Sequence, residues 1–458
     1  MPVEKTGAAA SFFRGMDVLL RGYVTAPIRP GREHAIRRCL RWILDHQDAD
    51  GGWGGIQPPW VYSLMALSVE GMTLDDPVMA KGLQAALTEP WAYEKDGGLH
   101  IQASDSIVWD TALTLQALFD CDQSVGEVES IHRAVDWLLD QQVLSPGDWQ
   151  VYVTGVEPGG WAFERCNARY PDVDDTAVVM GVLKRAGGVL DDTARLERSL
   201  ARAESWIRAL QCSNGGWAAF DRDNDSRLVT EIPFCDFGEV LDPPSVDVTA
   251  HVLEALSLLG HDRSDPAIRR ALDFIASEQE PDGSWFGRWG VNHVYGTGSV
   301  LPALRAVGED MDSVRVRRAA DWIVAVQQED GGWGEDCASY VDPQMRGRGV
   351  CTASQTAWAL LGLLAVGSPD DDHAIRRGLH WLLNRQRDDG TWDEPQYTGT
   401  GFPGYGVGER RDLAKGGQTL VQKTELSRAF MINYNLYRHY FPLSALGRAR
   451  EHFQSRKP

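Results

Sequence analysis

Three aspartates stand within four residues at Asp172-Val173-Asp174-Asp175, followed by Thr176 and an apolar run. One Asp or Thr is enough to cap a helix, so capping alone leaves the crowding unexplained. Carboxylate clusters also bind magnesium, which makes a metal site the second account. The third is acid catalysis. Crowded carboxyls favour the protonated form, because each negative charge raises the cost of the next. A helix N-terminus then stabilises the anion left when the proton departs. Protonating an isolated alkene demands an acid of this kind.

A cation beside the cluster would strengthen the third account. His251 lies four residues after Asp247, one helical turn on and on the same face. Imidazolium at His251 is expected to hold Asp174 in its reactive orientation. A second Asp-rich stretch, Asp221-Arg222-Asp223-Asn224-Asp225, imitates the start of a calcium loop. Ser226 stands where that loop needs glycine, and Ile232 holds its twelfth position. The stretch reads as solvated surface.

What positions these residues is a repeat. A helical run ends in Gln and is followed by Gly-x-Trp. Instances are Gln47 to Trp53, Gln142 to Trp149, Gln211 to Trp217, Gln279 to Trp285, Gln327 to Trp333 and Gln386 to Trp392. Gln and Trp lie six apart in five of the six, which puts the match beyond chance. The stretch before each Gln has helical apolar spacing, and the glycines stop it as a left-handed cap does. A second, far more apolar helix follows each motif. Amphipathic helices alternating with apolar ones imply an outer and an inner ring. The apolar helices after residue 94 open near Thr111, Thr176, Thr249, Thr297, Thr356 and Ser427. Six inner helices with six outer partners make an all-α fold, an (α/α)6 barrel over residues 94–458. Residues 1–93 carry one repeat and one apolar helix, and read as part of a second α/α barrel domain. The repeated Trp and Gln read as structural pins.

If Thr or Ser opens each inner helix, the residue two before it sits on one rim. Those residues are Trp109, Asp174, Asp247, Tyr295 and Ser354. Two acids, a phenol and an indole then converge on one mouth of the barrel.

Composition narrows the function classes. The 458 residues carry a formal charge of −20, which excludes a phosphate-binding face and hence nucleic acid as partner. Any membrane contact must then be apolar rather than electrostatic. The 7 Cys are scattered with no CxxC pair, so neither a disulfide framework nor a zinc site is expected. No signal peptide or spanning segment is legible, and the expected location is cytoplasmic.

The Asp-Val-Asp-Asp-Thr-Ala segment, the Gln-to-Trp repeats, Pro233-Phe234-Cys235-Asp236-Phe237-Gly238-Glu239 and Trp285-Phe286-Gly287-Arg288-Trp289-Gly290-Val291-Asn292 together resemble squalene–hopene cyclases. The similarity runs from about residue 30 to about residue 450. It implies a class II terpene cyclase that protonates a terminal alkene of squalene or a related polyprene and closes rings through carbocations to hopene- or hopanol-type products, with no cofactor and no metal. By this resemblance Asp174 is the proton donor, flanked by Asp172 and Asp175. His251 is its paired base, Asp247 and Tyr295 complete a hydrogen-bonded network, and Asp110 lines the same end. The cavity wall would carry Trp109, Phe163, Tyr170, Trp289, Phe402, Phe430, Tyr434 and Tyr437, whose ring faces attract cations in a dry site. Gln57, in Ile56-Gln57-Pro58-Pro59-Trp60-Val61-Tyr62, would hold the terminating water at the far end. Phe234 and Cys235 would form the constriction through which substrate arrives. Members are monotopic, so the resemblance also implies an apolar contact with the inner membrane surface.

The chain departs from the pattern at its front, where such cyclases continue further. The sequence therefore reads as lacking an N-terminal part that would complete the second barrel. It is then a fragment, a truncated product, or one of two complementing polypeptides, with a homodimer as a further possibility. An exposed apolar face is the expected consequence. The polar stretch from Gly404 to Leu426 reads as a surface excursion, and Glu164, Arg165 and Cys166 place polar groups beside Phe163. Competing readings are a catalytically inactive binding or scaffold barrel and a protein prenyltransferase β-like subunit. The latter would need a zinc set and a basic diphosphate pocket, neither of which the sequence offers.

Overall fold

Apolar helices that bury every side must close on one another, and here they form a ring. A computed structural model describes residues 8–88, 91–95, 97–122, 128–167, 169–188, 192–226, 241–340, 342–400 and 431–456. Helices α1 (Ala8–Thr25), α2 (Arg32–Asp45), α3 (Gln57–Val69) and α4 (Pro77–Ala86) precede the ring. A hairpin of β1 (Ala92–Lys95) and β2 (Gly98–Ile101) links them to it. There follow α5 (Ile107–Cys121), α6 (Glu129–Asp140), α7 (Val173–Arg185), α8 (Thr193–Ala209), α9 (Val246–Leu258) and α10 (Pro266–Ser277). The chain continues through α11 (His293–Ala306), α12 (Val314–Ala325), α13 (Ala353–Val366), α14 (Asp372–Arg385) and α15 (Tyr437–Gln454).

The odd-numbered helices pack in sequence, α5 on α7, α7 on α9, and so on to α15, which returns to α5. That closed circuit is the inner ring of an α/α barrel. Helix α13 shows why: thirteen of its fourteen residues are buried. The even-numbered helices bury one stripe each, such as Ile131, Val135, Leu138 and Leu139 of α6. Each fully buried Leu or Ile contributes about 1.5–3 kcal/mol over an exposed one. Among the described residues there are five outer helices, α6 to α14, rather than the six expected. The sixth inner helix is Tyr437–Gln454; Ser427 lies outside the described residues.

The repeat works as a clamp. Trp217, Trp285 and Trp333 each donate the indole N–H to the carbonyl ten residues back, at 2.8, 2.8 and 2.7 Å. Gln211, Gln279 and Gln327 each donate to the following Gly carbonyl and to the first turn of the next outer helix. At Gly215, φ is 96° and a Cβ would sit 2.3 Å from the Arg270 carbonyl, so glycine is required twice over. The second repeat needs correction. Gln142 grips Gly159 and Ser199, and the indole that closes the clamp is Trp161, bonded to Leu138 at 2.6 Å. Trp149 instead packs edge-on against Trp206.

The threonines also differ from expectation. Thr176, Thr249, Thr297 and Thr356 lie within the first turn or so of their helices, not at the start. Each hydroxyl accepts from the backbone N–H of the repeat Trp, at 2.8–3.0 Å. These bonds tie each inner helix N-terminus to the preceding turn. They place the acids.

Candidate active site

Asp172 caps α7: its Oδ1 accepts from the Asp175 N–H at 2.7 Å, satisfying one orphan donor of the first turn. The other two aspartates therefore ride on the first turn of a helix, in its positive field. Asp174 turns toward α9, where the 2.6 Å hydrogen bond between its Oδ1 and His251 Nδ1 spans two neighbouring inner helices. Burial works against charge on His251, but the Asp174 carboxylate outweighs it and lifts the ring's pKa to about 9. Imidazolium at neutral pH is the result, donating to Asp174.

Asp172 and Asp175 are buried and behave differently. Burial pushes Asp172 up to about 8, and burial plus the Asp172 charge pushes Asp175 well up. Burial thus biases both toward the protonated form, which opposes three charges on the cluster. Asp172 Oδ2 and Asp175 Oδ1 are buried without a partner among the described residues. Asp247, wholly buried, spends Oδ2 on the Trp289 backbone N–H at 2.9 Å and so fixes that ring's position. Burial raises its pKa as well.

The three aspartates of the cluster border a cavity of about 440 Å³, which Asp247 and His251 do not line. Asp172, Asp174 and Asp175 face it, with Trp109, Phe163, Tyr170, Trp289, Tyr295, Tyr434 and Tyr437 on its walls. Tyr434 and Tyr437 stack at 4.7 Å between centroids, and the Tyr437 hydroxyl accepts from the Trp109 indole at 2.9 Å. The Trp109 ring lies 6.1 Å from His251. Burial and the surrounding carboxylates push the Tyr295 and Tyr437 phenols up, so both stay neutral rings.

Other expected residues fall elsewhere. Asp110 does not line the cavity; Ser106 and Tyr440 hydroxyls donate to it at 2.7 and 3.1 Å. Ser354 is tied to Glu394, away from the other rim residues. Gln57 donates to the Ile101 and Gln102 carbonyls at 3.2 and 2.7 Å, and it is Ile56, Pro59 and Ser63 around it that reach the cavity. Phe234, Cys235, Phe402 and Phe430 lie outside the described residues, as does the whole polar stretch 404–426.

Several contributors escaped sequence reasoning. Phe220 lines the cavity and meets Trp289 edge-on at 6.2 Å. Asp242 holds the Phe220 and Asp221 N–H groups at 2.6 and 2.9 Å, and burial raises its pKa. Nothing local marks Asp242, because its partners lie more than twenty residues away. Glu164, noted in the sequence only as a polar neighbour of Phe163, is buried against Gly55, and burial, with Asp48, Asp50 and Asp105 nearby, lifts it to about 8.

With this geometry in view, comparison with known proteins is informative. Residues 105–407 match the squalene-hopene cyclase C-terminal domain and residues 2–95 the squalene-hopene cyclase N-terminal domain. The chain is 48% identical over 460 residues to a squalene–hopene cyclase from Alicyclobacillus acidocaldarius, covering 100% of this chain and 68% of that one. It is 37% identical to one from Zymomonas mobilis (98% and 65%) and 40% identical to one from Schizosaccharomyces japonicus (96% and 63%). It thus spans about two thirds of the length of these relatives. Among solved structures, type II terpene cyclase MstE from Scytonema superposes with a TM-score of 0.52 at 16% identity, covering 92% of this chain and 99% of that one. An ent-copalyl diphosphate synthase from Streptomyces platensis gives 0.53 at 18%, covering 93% and 69%. At such identities the likeness is one of fold, the α/α barrel.

Proposed function

Because the chain belongs to the squalene–hopene cyclase family, we propose that it cyclises squalene or a related polyprene by proton transfer from Asp174 to a terminal alkene. The observation that carries this reading is the 2.6 Å bond from His251 to an aspartate facing an aromatic-walled cavity. Asp174 reacts in its protonated form; the departing proton leaves the carboxylate that pairs with His251, and the imidazolium then stabilises that charge. Asp172 and Asp175, biased by burial toward their protonated forms, limit the negative charge beside it.

The carbocation then moves among ring faces. A desolvated cation over an aromatic face gains about 2 kcal/mol per ring, and rings have no lone pair to trap it. Trp109, Phe163, Tyr170, Trp289, Tyr434 and Tyr437 take this role, and the family resemblance adds Phe402 and Phe430. Asp247 acts by positioning Trp289, Tyr295 by closing the acid end, and Asp110 by holding Tyr440. Gln57 serves the terminating end through the segment it anchors, where proton loss or water capture gives a hopene- or hopanol-type product. The entrance is assigned to Phe234 and Cys235 by the family resemblance alone.

Residues 1–93 form part of a second α/α barrel domain and 94–458 the catalytic barrel. In support, Trp53, Trp60, Leu67, Met79 and Trp91 make a small core of their own. Phe12, Leu19, Val24, Trp42, Tyr62 and Met65 are exposed in this region. Such a patch suits apolar contact, with the inner membrane surface or with a complementing polypeptide or second copy. No described helix is long and apolar enough to cross a membrane, as a monotopic mode requires.

Detergent-solubilised squalene offered to the wild type should yield pentacyclic product, and Asp174→Asn should yield none above the protein-free control. Equal product from both would end the proposal.

A further inference from the structure

A cascade that opens with a proton and closes as an alkene must give one proton back. By then the charge has moved along the folded substrate, away from the acid that started it. The cavity carries another histidine–carboxylate pair, and it differs from Asp174 and His251 in one respect.

His46 follows α2 and stacks on Trp42 at 3.9 Å between centroids. Its Nδ1 lies 2.7 Å from the Trp42 carbonyl, which can only accept, so Nδ1 carries hydrogen and donates. Nε2 is therefore the basic nitrogen of the neutral ring. It is buried without a hydrogen-bond partner among the described residues, and Asp148 Oδ2 stands 3.4 Å away. That separation is too long for a made bond, whereas Asp174 and His251 close to 2.6 Å. The pair at the acid end is shut around its proton. The pair at His46 stands open to receive one.

Placement agrees. His46, Asp148 and Tyr170 all line the aromatic cavity. Asp148 is carried by the stretch between Gln142 and Gly159 that interrupts the second repeat. The Tyr170 hydroxyl donates to its Oδ2 at 3.0 Å, while Oδ1 makes no hydrogen bond among the described residues. The Asp148 side chain is 44% exposed and so also meets water. Two phenols tell regions of the wall apart. Burial, Asp174 and Asp247 raise Tyr295; burial, Asp148 and Asp48 raise Tyr170, with Arg169 opposing. His46 also belongs to the first 93 residues, which bring Ile56, the neighbour of Gln57, to the same cavity.

We propose that Asp148 and His46 are the base that ends the cascade, so that the principal product is an alkene. The inference rests on the cyclase reading given above. Beside the last cationic carbon a C–H bond breaks, its electron pair becomes the C=C bond, and an O–H bond forms on Asp148. The carboxyl passes that proton to His46 Nε2, and the pair closes as imidazolium against carboxylate. Asp148 afterwards hands the proton to water at its exposed edge, as hydronium. One proton leaves for the one spent at Asp174. Asp148 is the catalytic residue here; Tyr170 positions it, and His46 stores the proton.

The test is the ratio of alkene to alcohol formed by the assembly that converts squalene, because water competes with the base for the last cation. Asp148→Asn keeps an oxygen for Tyr170 and removes the carboxylate. His46→Arg keeps a cation facing Asp148 and removes the lone pair. Each should lower the alkene-to-alcohol ratio by about tenfold or more, with total product per folded molecule within about twofold of wild type. A merely structural role would lower the unfolding midpoint or total turnover and leave the ratio alone. Should His46→Arg fail to fold, the half-exposed Asp148→Asn decides. A wild-type ratio in Asp148→Asn, or a wild type that yields alcohol alone, overturns the base and leaves the acid reading standing. No pentacyclic product from the wild type, or product from Asp174→Asn, overturns the reading beneath it.

Discussion

Two of the barrel's histidine–carboxylate pairs are built for opposite ends. His293 and Glu335, at the start of α11, lie 3.1 Å apart and are both buried, at 1% and 5% exposure. Glu335 also accepts from the Asn292 and Val294 N–H groups at 3.3 and 2.8 Å. Its oxygens are saturated. Burial pushes Glu335 up, but the His293 bond and backbone donors outweigh it and hold the carboxyl below its usual range. Asp174, by contrast, accepts from His251 and turns the rest of its carboxyl to a cavity. A fully bonded pair fixes a turn. A pair with a spare oxygen facing an apolar chamber has something to react with.

The sharpest way to break this contrast is at His251. Replacing it with Phe removes the cation and the donor, while Asn keeps an N–H without the charge. Either change should lower kcat per folded molecule by about 10³, some 4 kcal/mol of transition-state stabilisation, in addition to removing the stability the pair contributes to the fold. A kcat within threefold of wild type for Asn would show that the charge is unimportant. The pH profile carries the same information. His251 is raised to about 9, so the stability it contributes is complete below about 6.5 and lost as pH climbs through about 9. Asp172, raised to about 8 by burial, ionises as pH passes through that value and adds negative charge beside Asp174. Activity should therefore begin to fall near pH 8 and be lost above 9.

At Glu335 the effect should appear in stability rather than in chemistry. Glu335→Gln leaves a buried histidine facing a neutral amide, and should cost about 3 kcal/mol in denaturant unfolding. Activity per folded molecule should change little. The pH dependence has the opposite sign. A depressed carboxyl contributes stability above its unfolded pKa near 4.5, lost as pH falls through the lower folded value. An unfolding midpoint equal to wild type at pH 7 would make the saturated pair dispensable.

Much of this arrangement is legible in the chain because it is local. Helix period, the Gln-to-Trp spacing and the Asp172-to-Asp175 cluster are set within a few residues, and His251 was reached from Asp247 by one helical turn. Even the partnership with Asp174 follows once α7 and α9 are neighbours in a ring. What the sequence hid is set by packing across the ring. Gln57 points to backbone carbonyls 44 and 45 residues away, and Asp110 meets Tyr440 from the last helix. The missed register at the second repeat has a plainer cause. The segment from Val143 to Pro158 is inserted between Gln142 and Gly159, and Gly147-Asp148-Trp149 within it imitates the motif. The one irregular spacing, seven instead of six, was the available warning.

That register gives the smallest and most discriminating test of saturated against spare groups. Trp161 is wholly buried and its indole N–H is bonded to Leu138. Trp149, also buried, keeps an indole N–H without a partner among the described residues, at the wall of the aromatic cavity. Both are tryptophans before an inner helix, and sequence alone preferred the wrong one. Trp161→Phe deletes a made bond and leaves the Leu138 carbonyl to the Gln141 N–H alone, so it should cost about 1 kcal/mol, read as a lower denaturant midpoint at constant m. Trp149→Phe removes a donor that already goes unpaired, and should be neutral or stabilising by up to about 1 kcal/mol. If the two midpoints fell together, the clamp would not depend on the indole bond, and the assignment of Trp161 to the repeat would lose its energetic basis.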